Sequence, residues 1–305
     1  MRSTAQPALI HKDARRNRAA ARTVYRPPTQ REFKIEGMNI AAVVSRGRGR
    51  PVILLHGNSS SKSVWARQIR LLNRFKRSLI APDLPGHGES DNARDPQATY
   101  SFPGYAGVIR RLLDLNNYNE VDVVGWSLGG HIGLELLGTE PRVRSLLIVG
   151  TPPITPSVEA LHSAFYVDDN MQLAGKSRFT VADVEAYGRS MLGGARYLTR
   201  NLLADIRRTD GNARGYMFES ALGGVGADQR SIAEMNAKPL CVVHGEKEPF
   251  VRLTYLQALR YRALWRNQIY VIAGAGHAPH WQTPAAFNDI LKAFLGLIPA
   301  NNHSL

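Results

Sequence analysis

The sequence predicts an α/β protein whose mainly parallel sheet is covered by helices on both faces and interrupted by a helical insertion. Three observations predict it. Short apolar runs bounded by turn residues alternate with amphipathic stretches from about residue 31 to 149. That alternation stops between 151 and 236, where helical patterns and a glycine-rich break at 222–226 take over. It then resumes to the end of the last amphipathic stripe. Buried strands alternating with helices are the signature of a parallel sheet sandwiched between helices. An insertion at that point lies over the strand ends, where ligands of such sheets bind.

The elements follow in order. Two extended runs in 31–45 flank Gly37-Met38-Asn39 and read as an opening hairpin. Pro51–Leu55 is a continuous apolar run of the kind buried on both faces. A helix over Val64–Leu72 and a strand over Ser78–Asp83 come next, then a helix over Tyr105–Leu115 with Val108, Ile109, Leu112 and Leu113 on one stripe. Val121–Gly125 is a strand, Leu128–Leu137 a helix and Val143–Val149 a strand. After the insertion, the pattern predicts a strand at Leu240–Val243, a helix over Leu253–Leu264 and a strand at Gln268–Ile272. The last helix carries Phe287, Ile290, Leu291, Phe294 and Leu295 on one face. The domain organisation expected is therefore a core formed by 31–150 and 237–305, a helical cap over 151–236, and a basic, disordered extension over 1–30.

The charge is concentrated in that extension. Of a net charge of +14, half comes from residues 1–31, where Arg2, Lys12, Arg15, Arg16, Arg18, Arg22, Arg26 and Arg31 face only Asp13. Few aromatic or β-branched residues accompany them, so the segment is expected to remain solvated. An Arg-rich targeting segment or translation from an upstream start are the other readings. Attraction to phosphates or anionic lipid would be salt-sensitive and unspecific, so no specific nucleic-acid partner is expected. No apolar run approaches the roughly 20 residues of a membrane span. The single cysteine, Cys241, sits in an apolar run and reads as a buried, inert thiol. Nothing requires an oxidising compartment, and a cytoplasmic location is expected.

Gly125-Trp126-Ser127-Leu128-Gly129 places a serine between two glycines, at a predicted strand-to-helix junction. In isolation G-x-S-x-G is a common accident and an ordinary turn. At this junction it reads as a nucleophile elbow, where small flanking residues let a sharp turn push the hydroxyl into a cleft. A serine hydroxyl needs a base and an oriented partner for it. In this architecture the chain order is nucleophile, acid, histidine. His277, in the loop after the final strand, fits the base; His280 is its nearest rival, and His56, His87, His131 and His244 have structural readings. Glu248 lies three residues past the strand-ending Gly245 and can turn back toward the cleft, whereas Glu246 leaves the strand at once and reads as solvated. Asp83 and Asp228 are weaker candidates. The oxyanion donors expected are the backbone N–H groups of Leu128 and of Asn58, the latter in His56-Gly57-Asn58. The Asn58 side chain could add a donor or brace its loop.

The motifs resemble the α/β-hydrolase superfamily across residues 31–298. More narrowly, the chain is similar to the metal-independent N-acyl-homoserine lactone lactonases of the AidH type. The similarity is carried by 56–61, Ala81-Pro82-Asp83-Leu84-Pro85-Gly86-His87-Gly88, and 125–133. In the cap it is carried by Gly150-Thr151-Pro152-Pro153, Asp183-Val184-Glu185-Ala186-Tyr187 and Arg208-Thr209-Asp210-Gly211, and beyond it by 248–251 and 275–279. The basic extension departs from the pattern. The resemblance implies ring opening of acylated homoserine lactone signals, which is quorum quenching. It places Ser127, Glu248 and His277 in the catalytic positions and Tyr187 in the pocket, with no cofactor or metal. Glutamate is the less common acid here; most such enzymes carry aspartate.

An acyl chain would need an apolar channel. Phe165, Tyr166, Met171, Tyr187, Met191, Met217 and Phe218 are the candidates in the cap, each also explicable as cap packing. Trp126 and Trp65 could line the pocket or belong to the core. A carboxylesterase of small or aromatic esters would use the same triad. A dehalogenase or epoxide hydrolase of this fold would need aspartate at 127, while a cofactor-free haloperoxidase or C–C bond hydrolase stays open. A non-catalytic binding protein on the same fold would be expected to have lost a triad member.

Overall fold

The computed structural model describes residues 24–166 and 168–298. Eight strands form one sheet: β1 (Arg26–Ile35), β2 (Met38–Arg46), β3 (Arg48–Leu55), β4 (Arg77–Pro82), β5 (Val121–Trp126), β6 (Val143–Val149), β7 (Leu240–Gly245) and β8 (Leu264–Ile272). Their spatial order is β1-β2-β4-β3-β5-β6-β7-β8. Pairing is antiparallel for β1 with β2 and for β2 with β4, and parallel from β4 onward, so β2 alone runs against the rest. The central strands are covered on both faces, and every residue of β5 and β7 is buried. That explains why they read as unbroken apolar runs rather than alternating ones.

The helices are α1 (Ala66–Arg74), α2 (Pro96–Thr99), α3 (Phe102–Leu115), α4 (Leu128–Thr139), α5 (Val158–Ala164), α6 (Asp169–Leu173), α7 (Val181–Leu192), α8 (Arg200–Arg208), α9 (Gly211–Leu222), α10 (Gln229–Met235), α11 (Leu253–Ala258), α12 (Pro279–Gln282) and α13 (Pro284–Phe294). Local chemistry starts several of them. The Ser101 hydroxyl accepts the Gly104 N–H and Pro103 sits in the first turn of α3. Thr180 and Asp183 form a reciprocal capping box on α7. The α3 stripe of Val108, Ile109, Leu112 and Leu113 is fully buried, each side chain stabilising the fold by roughly 1.5–3 kcal/mol. α3 packs on α4, and α4 on β3, β5 and β6; α1 packs with α12 and α13, and α13 against β8.

Three boundaries differ from expectation. Residues 1–23 of the anticipated basic extension lie outside the described residues, but Arg26–Gln30 do not belong to it. They pair with β2, Thr29 opposite Val44 and Gln30 opposite Val43. Pro27 and Pro28 are tolerated because β1 is an edge strand and its register shifts between Arg26 and Thr29. The helix expected over Leu253–Leu264 stops at Ala258, because Leu264 pairs with Leu240 as the first residue of β8. Finally, α10, expected in the cap, packs on α4. Gln229 bonds His131 there and the Asn236 amide donates to the Leu137 carbonyl. The insertion proper is therefore α5 to α9.

Candidate active site

β5 ends at Trp126 and α4 begins at Leu128, so Ser127 alone makes the turn. Its φ of 52° and ψ of −117° are an uncommon conformation for a residue with a side chain, a strain on the order of 1–3 kcal/mol. The surroundings hold it there. The Ser127 N–H donates to the Val149 carbonyl at 2.9 Å. Its own carbonyl accepts from the Gly130 N–H at 2.8 Å and the Thr151 hydroxyl at 2.9 Å. The flanking glycines are required by space. A Cβ at Gly125 would stand 2.2 Å from the Gly129 carbonyl oxygen, and one at Gly129 would stand 2.2 Å from that of Leu55.

The loop after β3 is braced by histidines. The Leu84 N–H donates to His56 Nε2 at 2.9 Å, so the ring proton is on Nδ1, which donates to the Gly57 carbonyl at 2.8 Å. His87 Nδ1 lies 2.9 Å from the Pro85 carbonyl. His56 thus uses both ring nitrogens in bracing the loop, whereas His87 uses Nδ1 and its buried Nε2 has no partner among the described residues. Asn58 Nδ2 donates to the Ala174 carbonyl of the insertion at 2.8 Å. Its side chain therefore braces the loop against the insertion. Among the described residues the backbone N–H groups of Asn58 and Leu128 have no protein acceptor.

Glu248 and His277 meet as a buried pair, His277 Nδ1 lying 2.9 Å from both carboxylate oxygens. The Phe250 N–H donates to Oε1 at 2.9 Å. Burial pushes the Glu248 carboxyl up, but the His277 charge and hydrogen bond together with the Phe250 N–H outweigh it and hold the group below the usual glutamate value. Glu246 is exposed and accepts the Gly274 N–H instead. The Trp126 indole N–H donates to the His277 carbonyl at 2.8 Å, and the Phe250 ring stands edge-on to the imidazole at 4.9 Å. His280, the rival base, is packed against Trp65 at 4.3 Å and Trp126 at 5.0 Å, away from any carboxylate partner.

Ser127 and His277 line one cavity of about 140 Å³ together with Asn58 and Leu128. No hydrogen bond joins the serine hydroxyl to the imidazole in this geometry, a looseness common in sites without substrate. Phe165, Met171, Tyr187, Met191, Met217 and Phe218 line the cavity as well. The Tyr187 hydroxyl donates to the Asn58 carbonyl at 3.4 Å. Two aromatic expectations, Trp126 and Tyr166, need correction, and Trp65 takes the core alternative. Trp126 is not on the wall: its ring lies under Gly57, whose Cβ would meet it at 2.9 Å, and serves as the floor of the His277 loop. Trp65 is likewise core, and Tyr166 is half-exposed beneath the Arg252 guanidinium. Sequence reasoning missed His131, which lines the cavity from the second turn of α4. Its only sequence signal was its place four residues after Ser127, on the same helix face.

The buried histidines make stability sensitive to acid. Burial lowers His56 and His131 to about 4 and His87 to about 3. These groups bind fewer protons in the folded state than in the unfolded state. Stability is therefore full above about pH 6.5 and falls with decreasing pH down to the folded values, by up to ~1.4 kcal/mol per pH unit for each proton. Urea unfolding at pH 7, 6 and 5 should show the midpoint dropping steeply, whereas a flat profile over this range would refute the assignment.

The match to the α/β-hydrolase fold family runs over residues 50–284. The chain belongs to the α/β-hydrolase family. This α/β hydrolase superposes on the crystal structure of N-acyl homoserine lactonase AidH complexed with N-butanoyl homoserine with a TM-score of 0.84 and 38% identity, covering 90% of this chain and 100% of that one. It is 30% identical over 263 residues to the pimeloyl-[acyl-carrier protein] methyl ester esterase of Xanthomonas campestris pv. campestris (strain B100), covering 83% of this chain and 98% of that one. To the 2-hydroxymuconate semialdehyde hydrolase of Pseudomonas sp. (strain CF600) it is 27% identical over 265 residues, covering 82% and 88%. The α/β hydrolase is thus a hydrolase with esterase and lactonase relatives. No helix among its described residues is long and apolar enough to cross a membrane.

Proposed function

We propose that the protein opens the lactone ring of N-acyl-homoserine lactones through an acyl-enzyme, with Ser127 as nucleophile, His277 as base and Glu248 as the acid that orients it. The observation that carries this reading is the match to AidH over the whole of that chain, insertion included. N-Butanoyl homoserine, the molecule in that structure, is chemically the ring-opened form of such a lactone. The apolar insertion side chains Phe165, Tyr187 and Met217 are then positioned for an acyl chain.

Ser127 Oγ attacks the ring carbonyl while His277 Nε2 takes its proton. The carbonyl oxygen gains the charge, which the Asn58 and Leu128 N–H groups receive. Collapse breaks the ring C–O bond, and His277 returns the proton to the departing oxygen, now a homoserine hydroxyl. An ester of Ser127 remains. Water, deprotonated by His277, attacks that ester and releases N-acyl-homoserine and the free serine. Glu248 stabilises the imidazolium formed in each half.

The second reading is a carboxylesterase of simple esters, favoured by the 30% identity to the methyl ester esterase. A non-catalytic binding protein is disfavoured because Ser127, Glu248 and His277 are all present. Purified protein incubated with short- and long-chain acyl-homoserine lactones plus a chelator should yield the ring-opened acid, a mass gain of one water. Intact lactone alongside rapid p-nitrophenyl ester turnover would transfer the assignment to the esterase.

A further inference from the structure

One polar group on the cavity wall has no part in that reaction. His131 stands one turn beyond Ser127 on α4 and is buried, its ring stacked on Phe102 at 4.6 Å with 9° between planes. Behind it runs a polar relay. The Ala227 N–H donates to both Glu135 carboxylate oxygens, at 2.9 and 3.2 Å. The Gln229 amide nitrogen donates to Glu135 Oε1 at 3.3 Å and to the His131 carbonyl at 3.4 Å. This fixes the amide orientation and turns its oxygen toward His131 Nδ1, 2.8 Å away. An amide oxygen only accepts, so Nδ1 carries the ring proton. Burial, aided by the His277 charge and opposed by the Gln229 hydrogen bond, lowers His131 to about 4, so the ring is neutral near pH 7. Nε2 is therefore a lone pair. It has no partner among the described residues and is not sealed in the interior. The residue itself lines the cavity.

We infer that His131 Nε2 selects substrate: it accepts a hydrogen bond from a hydroxyl on the acyl chain, favouring hydroxylated chains over plain or keto-bearing chains of equal length. The inference rests on the hydrolase reading of this cavity and names which acyl groups that site takes. The surroundings give the acceptor its weight. Phe102, Phe165, Leu161 and Ile154 line the same cavity, and a lone pair among apolar groups gains by meeting a donor. A keto oxygen would instead set two lone pairs against each other. The Gln229–Glu135 relay stops the ring from exchanging tautomers to suit it.

The test compares kcat/KM for 3-hydroxyoctanoyl, octanoyl and 3-oxooctanoyl substrates, each as the homoserine lactone and as the p-nitrophenyl ester. Ratios within one preparation cancel any difference in folded fraction. The full-length protein should favour the hydroxylated chain over the plain one by roughly five- to tenfold. His131→Phe keeps the ring stack and should bring that ratio near one. Gln229→Met frees the tautomer and should shrink the hydroxy-over-keto ratio by a similar factor, which keeps the inference testable if His131→Phe does not fold. Ratios appearing with the p-nitrophenyl esters while the lactones stay intact would uphold His131 and defeat the lactonase reading. A parent ratio near one, or the parent ratio persisting in His131→Phe or in Gln229→Met, would overturn the inference.

Discussion

On the proposed mechanism, Ser127→Ala should lower kcat for p-nitrophenyl esters and for acyl-homoserine lactones by about six orders of magnitude, the scale on which a serine hydrolase loses its nucleophile. The backbone supports a clean result. Alanine occupies the same left-handed conformation at the same cost, and the bonds that hold the turn come from the Ser127 N–H and carbonyl, which the substitution keeps. The hydroxyl itself makes no hydrogen bond among the described residues, so the melting temperature should stay close to that of the parent. What disappears is the only oxygen on the elbow that can form an ester. Residual catalysis over water would come from the Asn58 and Leu128 N–H groups and from binding alone. A variant that still released p-nitrophenol at a tenth of the parent rate would remove Ser127 from the reaction.

The elbow was legible in the sequence because its requirements are local. Glycine at 125 answers a contact with the Gly129 carbonyl inside the motif itself, and a strand and a helix on either side restrict what such a turn can be; the Gly129 contact, with the Leu55 carbonyl of β3, is the one that is not local. Glu248 could be preferred over Glu246 for a similar reason, since leaving a strand immediately points a side chain to solvent, where Glu246 is found. Other features depend on packing that sequence spacing does not encode. Whether Trp126 lines the cavity or supports its floor is decided by a loop carbonyl 151 residues away, at His277. His131 fits the apolar face of α4 as an ordinary buried residue, and only Gln229, from a different helix, fixes its ring so that Nε2 is the nitrogen left over. The shortened α11 has the same origin: cross-strand pairing of Leu264 with Leu240 overrides a local helical pattern.

Glu248→Gln tests the other end of the relay and should lower kcat by about four orders of magnitude, as replacing the carboxylate of such a triad by its amide does. The variant is nearly isosteric, so the buried site keeps its volume. In the parent, Oε1 accepts from the Phe250 N–H and both carboxylate oxygens lie 2.9 Å from His277 Nδ1. An amide can match the Phe250 N–H with its oxygen, but its NH2 then stands against the Nδ1 proton. The imidazole relieves that opposition by moving its proton to Nε2, the nitrogen that must accept from Ser127. The charge that would stabilise the imidazolium is also gone, in a pocket too dry for water to replace it. Glu248→Asp separates these effects: it restores charge and acceptor character but retracts the carboxylate by about one C–C bond, 1.5 Å. It should therefore recover a large part of the activity lost in Glu248→Gln. Equal activity in Glu248→Gln and the parent would mean that the pair is an ordinary buried ion pair and that the acid of this site lies elsewhere.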